Sequence, residues 1–81
     1  MYEVRQIDAW ADEGGWVWNT SYPMGRLATR GKNDGRALIG FLNRHGVAFK
    51  PGKTRIEFDG SVYEVVDRKT GEPLFAAVPM E

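Results

Sequence analysis

Only one stretch of this chain carries helical periodicity, and it lies between segments that alternate at the strand period. From about Asp34 to His45, the side chains of Ala37, Leu38, Phe41, Leu42 and His45 fall within an arc of about 140° at 100° per residue. Ile39 flanks that arc, and Arg36, Gly40, Asn43 and Arg44 make the opposite face. Asn33 or Asp34 offers a short side-chain oxygen to an orphan N–H at the helix start. Gly46 suits the left-handed position just past its end. A single amphipathic helix cannot bury its own stripe, so a sheet must cover it.

The flanking segments supply that sheet. In Tyr2–Trp10, Tyr2 and Val4 share one parity while Ile7 and Ala9 take the other, which predicts a bulge near Arg5–Gln6. Asp12-Glu13-Gly14-Gly15 reads as a turn. Trp16, Trp18, Thr20 and Tyr22 then alternate with Val17, Asn19 and Ser21, the pattern of a strand returning as a hairpin. Pro23-Met24-Gly25 turns the chain into Arg26–Arg30, a short third strand or an extended connection. Beyond the helix come a short apolar step at 47–49 and a turn at 50–53. Thr54–Phe58 and Ser61–Val66 are strands joined by Asp59-Gly60, the pair preferred in a type I′ turn. That loop would set Ile56 opposite Tyr63 and Glu57 opposite Val62. A second turn, Asp67–Pro73, leads into Leu74–Val78, and Pro79 indicates a terminal edge. The expectation is a single α+β domain spanning residues 1–81, β-β-(β)-α-β-β-β. One helix packs across a meandering antiparallel sheet of about five strands. A small half-open barrel plugged by the helix is the alternative arrangement.

Composition removes several classes of function. With no cysteine among 81 residues, disulfide frameworks, zinc ribbons and thiol catalysis are excluded. No apolar run approaches the ~18–20 residues that span a bilayer, so no membrane partner is expected. MYEVRQIDAW lacks the form of a secretion signal, which points to the cytoplasm and leaves the sequon Asn19-Thr20-Ser21 idle. Pro51-Gly52-Lys53-Thr54 echoes the end of a phosphate-binding loop, but it opens a strand rather than a helix and lacks the first glycine. His45 is the only histidine, and alone it completes neither a metal site nor a triad. Asp8, Asp12 and Glu13 match no calcium loop, and no carboxylate pair suggests hydrolysis. The sequence therefore argues against an enzyme and implies no cofactor.

Charge and aromatics carry the remaining signal. Eleven basic and eleven acidic residues cancel overall, yet residues 1–25 sum to −3, 26–55 to +7 and 56–81 to −4. Folding could bring these blocks together and cancel the field, or leave a positive side for an anionic partner. Trp16, Trp18 and Tyr22, with Trp10 near the hairpin mouth, admit two readings. They form the sheet's core face under the helix, or some stand at a rim as stacking platforms or interface anchors. Gly40, between Arg36 and Arg44 on the outward helix face, costs about 1 kcal/mol against alanine. It is either drift or a point of close backbone approach by a second copy of the chain.

The stretches DEGGWVWNTSYPMG (12–25), NDGRALIGFLNRHG (33–46) and VVDRKTGEPLFA (65–76) together resemble small accessory proteins of bacteriophages and prophages. The resemblance implies a protein of the host-cell cytoplasm that blunts a host defence by binding, either occluding a nuclease effector or sequestering a nucleotide signal. It carries no site residues with it. Taken with the residues themselves, it leads to a non-enzymatic binding protein acting stoichiometrically as a small homo-oligomer on a host protein or a nucleotide-like ligand. The expected surface joins Arg26, Arg30, Arg36, Gly40 and Arg44 to Trp16 and Trp18. The alternative is a single-stranded nucleic-acid binder that stacks bases on tryptophan. Its balanced charge and pI near 6.6 count against that alternative.

Overall fold

The computed structural model describes residues 1–29 and 33–80. Its elements are β1 (Tyr2–Asp12), β2 (Gly15–Leu27), α1 (Asp34–Arg44), β3 (Thr54–Phe58), β4 (Tyr63–Asp67) and β5 (Pro73–Pro79). The five strands form one antiparallel sheet in the order β2-β1-β5-β4-β3, with α1 packed on one face, so the α+β class holds. The sheet is open, and its edges are β2 and β3.

The last strand does not run along an edge. β5 lies in the middle, its Ala77 opposite Val4 of β1 on one side and Tyr63 of β4 on the other. Pro73 and Pro79 are tolerated there because they occupy the two ends of the strand, where ladder N–H groups are not required. The third strand expected at 26–30 is not a separate element either. β2 runs through Pro23-Met24-Gly25 to Leu27, and Arg30 lies outside the described residues. Pro23 costs no hydrogen bond on an edge strand, Met24 is the extra residue of a bulge, and Gly25 takes φ +144°. A Cβ on Gly25 would stand 3.2 Å from Cζ of Phe41, so this glycine also lets the helix sit close to the sheet.

The bulges fall between Val4/Arg5 and Asp8/Ala9 in the β1–β2 register, and the inserted residues, Met24 and Asn19, belong to β2. β1 itself alternates throughout. Val4 and Ile7 are both buried although they point to opposite faces, because both faces are covered at this point. Val4, Leu27, Leu38, Phe41, Leu42, Val65 and Ala77 form the core beneath the helix. Ile7, Val66 and Ala76 are buried outside that cluster, on the far face.

Leu38, Phe41 and Leu42 are the buried apolar stripe of α1, as the helical arc predicts. The helix ends as expected around Gly46 at φ +83°. Gly46 donates to the Asn43 carbonyl (3.2 Å) and Val47 to the Leu42 carbonyl (2.9 Å), the paired bonds that close a helix on a left-handed glycine. Its start differs from expectation. Asn33 makes no side-chain capping bond, and the Asp34 carboxylate turns to tyrosine hydroxyls instead.

The β3–β4 hairpin is two residues longer in its loop than a type I′ turn allows. Phe58 faces Tyr63, Glu57 faces Glu64 and Ile56 faces Val65. The Asp59 carboxylate accepts the backbone N–H groups of Ser61 and Val62, both at 2.9 Å, which folds Ser61 and Val62 into the loop. A shift of two preserves side-chain parity, so the core face is unchanged.

Two expectations follow. Leu38→Ala or Phe41→Ala should lower unfolding free energy by about 2–5 kcal/mol in urea titration, whereas Arg44→Ala at the exposed helix end should leave it nearly unchanged. Gly25→Ala should cost more than about 1 kcal/mol in the same measurement, because alanine meets both a left-handed backbone and the Phe41 ring.

Candidate functional site

The tryptophans do not lie beneath the helix. Trp10 is 51% exposed, Trp16 38% and Trp18 36%. β5 pairs with β1 only from Tyr2 to Gln6, so the rest of the β1–β2 hairpin continues past the sheet as a two-stranded blade. Register separates its two faces. Trp16 lies opposite Ala11 and Trp18 opposite Ala9, whereas Trp10 lies opposite Val17. The Asn19 bulge then reverses the parity that the even spacing implied. Tyr22 pairs with Gln6 and shares the face of Trp10 and Val17, not that of Trp16 and Trp18.

The two faces have different surroundings. Trp16 donates its Nε1–H to the Thr70 carbonyl (3.0 Å), and Trp18 donates its own to Oε2 of Glu64 (2.8 Å). Both acceptors sit on the β4 side of the far face, so the blade curls over the sheet away from the helix. Nε1 of Trp16 also comes within 3.7 Å of where a Gly71 side chain would begin. Glu64 needs such a donor, because it lies directly opposite Glu57 in the β3–β4 ladder. On the other face, Trp10, Val17 and the 56%-exposed Tyr22 turn to solvent.

The expected arginine–tryptophan surface is split by this geometry. Arg36 and Arg44 are exposed on the helix, on the opposite side of the sheet from Trp16 and Trp18. Nη1 of Arg44 lies 3.4 Å from the position of a Gly40 Cβ, so Gly40 leaves room for the arginine of its own helix. Arg26 is exposed opposite Glu3 on the far face, with the tryptophans, and Arg30 lies outside the described residues. The basic residues near the other edge gather at the turns. Lys53, Arg68 and Lys69 line a hollow of about 320 Å³ with Gly52 and Asp67. The Asp67 carboxyl there is held below its ordinary value by the backbone N–H groups of Thr70 and Lys69.

A second cluster stands at the helix start and was not legible beforehand. Asp34 is 7% exposed, and its Oδ2 accepts the hydroxyls of Tyr2 (3.1 Å) and Tyr63 (3.4 Å), while Oδ1 accepts that of Thr29. The tyrosine rings meet edge to face, their centroids 5.7 Å apart. One carboxylate thus ties α1 to β1 and β4, and no buried side-chain nitrogen or oxygen among the described residues lacks a partner. Only its position at the first turn distinguished Asp34 in the sequence, and capping accounted for that. His45 stacks on Phe41 at 4.0 Å, with Nδ1 2.9 Å from the Phe41 carbonyl, which is a structural use of the ring.

No group of three or more His, Asp or Glu side chains among the described residues is arranged to hold a metal ion, and no described helix is long and apolar enough to cross a membrane. An apolar pocket of about 130 Å³ lies under the helix end, lined by Leu42, Val47, Phe49, Val65, Leu74 and Phe75 among others. No protein-family model, no curated protein and no solved structure matches this chain.

The tyrosine–aspartate cluster has a pH signature. Burial, then the hydrogen bond and charge of Asp34, raise the Tyr2 phenol above its ordinary 10.0; burial and the Asp34 charge do the same for Tyr63. The folded state holds these protons longer than the unfolded chain. Their stabilisation is therefore whole below the unfolded value and is lost as pH rises through the folded one. Urea midpoints should fall above about pH 10, and Asp34→Asn should bring both phenols down toward the ordinary value in an ultraviolet absorbance titration.

Proposed function

We propose that this chain is a non-enzymatic binding protein acting stoichiometrically, and that its contact surface is the open face of the β1–β2 blade. The observation that carries this reading is the outward set Trp10, Val17 and Tyr22, each more than a third exposed. Large aromatics at the surface of so small a domain leave apolar area in water that a partner would cover. The opposite face supports the reading too. Trp16 and Trp18 brace the blade through their ring N–H groups, so the open face is held in place before binding and less ordering entropy is lost on contact.

The charges around the blade favour a protein partner over a nucleic acid. Asp8, Asp12 and Glu13 are exposed along it, residues 6–22 contain no lysine or arginine, and Arg36 and Arg44 belong to the helix rather than to the blade. A stacking platform for single strands needs bases beside its aromatics to follow the phosphates. An aromatic centre with an acidic rim instead complements a basic protein surface. The resemblance to bacteriophage accessory proteins supports a host defence component, such as a nuclease effector, as that protein.

Retention of a partner by immobilised protein from a lysate of its host tests the reading. The Trp10→Ala/Tyr22→Ala variant should retain at least about tenfold less partner at unchanged circular dichroism. Arg36→Ala/Arg44→Ala should retain as much as the parent. Equal capture by the aromatic variant, or loss confined to the arginine variant, would refute the assignment.

A further inference from the structure

The two edges of the sheet are finished differently. β2 is interrupted by Pro23 and by two bulges, devices that prevent a further strand from adding. β3 has neither. It is regular from Thr54 to Phe58 and pairs with β4 alone among the described residues.

The hairpin bonds show which of its groups face outward. Asp59 donates to the Val62 carbonyl and Arg68 to the Lys53 carbonyl, so these two pairs bracket the ladder as hydrogen-bonded pairs. Residues 55 and 57 therefore bond inward to β4, and the N–H and C=O groups of Ile56 and Phe58 point out from the edge. The side chain of Phe58 stacks on Tyr63 at 4.3 Å yet remains 52% exposed.

We propose that β3 pairs antiparallel with β3 of a second copy of this chain across a two-fold axis through Ile56. The strand's charges select both the partner and the register. With Ile56 opposite its own copy, Arg55 of each chain faces Glu57 of the other. A shift of two residues in one direction sets Glu57 against Glu57, and in the other direction Arg55 against Arg55. Among the residues of the strand itself, Thr54–Phe58, only the centred register opposes unlike charges and brings no like pair together, and it does so twice by symmetry. The same register makes Ile56 the hydrogen-bonded pair and places Arg55 and Glu57 in the pairs whose side chains approach most closely.

Within one chain, Nε of Arg55 already donates to Oε1 of Glu57 at 2.9 Å, which offsets the repulsion between Glu57 and Glu64 across the ladder. In the pair, each Glu57 gains a second arginine, and Phe58 lies over Thr54 of the other chain. Two five-stranded sheets would become one of ten, with the tryptophan blades at its two far ends. The pairing does not depend on what the blades bind, although a dimer would present two of them and gain avidity for a multivalent partner.

Sedimentation equilibrium from micromolar concentrations upward, with circular dichroism alongside, tests the proposal. The wild-type chain should approach twice its 9.1 kDa mass as concentration rises. Arg55→Glu sets acid against acid and Glu57→Arg sets base against base, so each alone should weaken association by about tenfold or more. Mixed in equal amounts, the two variants should associate again as a heterodimer, which a change in folding alone would not produce. The exchanged chain, Arg55→Glu with Glu57→Arg, keeps the complementarity and should dimerise like the wild type. A wild type that stays monomeric throughout overturns the proposal. So do single variants as dimeric as the parent, or a mixture that stays monomeric while each component is folded.

Discussion

The sheet exists because its last strand enters its middle. Without β5 the chain is two separate hairpins, β1–β2 and β3–β4, joined by a helix. Residues 73–79 stitch them together, with Ala77 opposite Val4 on one side and Tyr63 on the other. Ala76 and Ala77 are both essentially inaccessible to solvent, one on each face. A central strand covered on both sides has room for little more than a methyl group where the helix presses down and the blade folds over. The core beneath α1 and the smaller buried set of Ile7, Val66 and Ala76 both depend on this insertion.

Small departures from regularity then place the surface features. The Met24 bulge and Gly25 let β2 continue past the point where a turn was expected, and they seat Phe41 close to the sheet. The Asn19 bulge rotates the blade so that its aromatics divide into a bracing pair and an outward set. Asp34 sets the helix start by drawing hydroxyls from two strands that lie on either side of β5. Each device exchanges one local rule for a long-range contact. The surfaces that result are of two kinds, an aromatic face at one edge and a bare, charge-alternating strand at the other.

Much of the architecture was legible in local sequence. The helical arc of Leu38, Phe41 and Leu42, the closing Gly46 and the alternating aromatic strand are short-range signals, set by side-chain period and backbone freedom. Asp59-Gly60 reads as a turn in the sequence, but the Asp59 carboxylate accepts the Ser61 and Val62 N–H groups and the loop is two residues longer. For the candidate site, the sequence marked the tryptophans and arginines as unusual without ordering them in space. Tyr22 shares a face with Trp10 rather than with Trp16 and Trp18 because of a one-residue insertion at Asn19, which a clean alternation does not reveal.

By itself, then, the sequence determined that a helix starts at Asp34 and closes before Gly46, that strands flank it, and that the charges are arranged in blocks, since these properties depend on neighbours in the chain. Tertiary structure decided the rest: β5 at the centre, Trp16 and Trp18 across the sheet from Arg36 and Arg44, and Asp34 between two tyrosines. Each of these joins groups tens of residues apart. Their meeting is fixed by strand order and by which face is covered, and no local period encodes either.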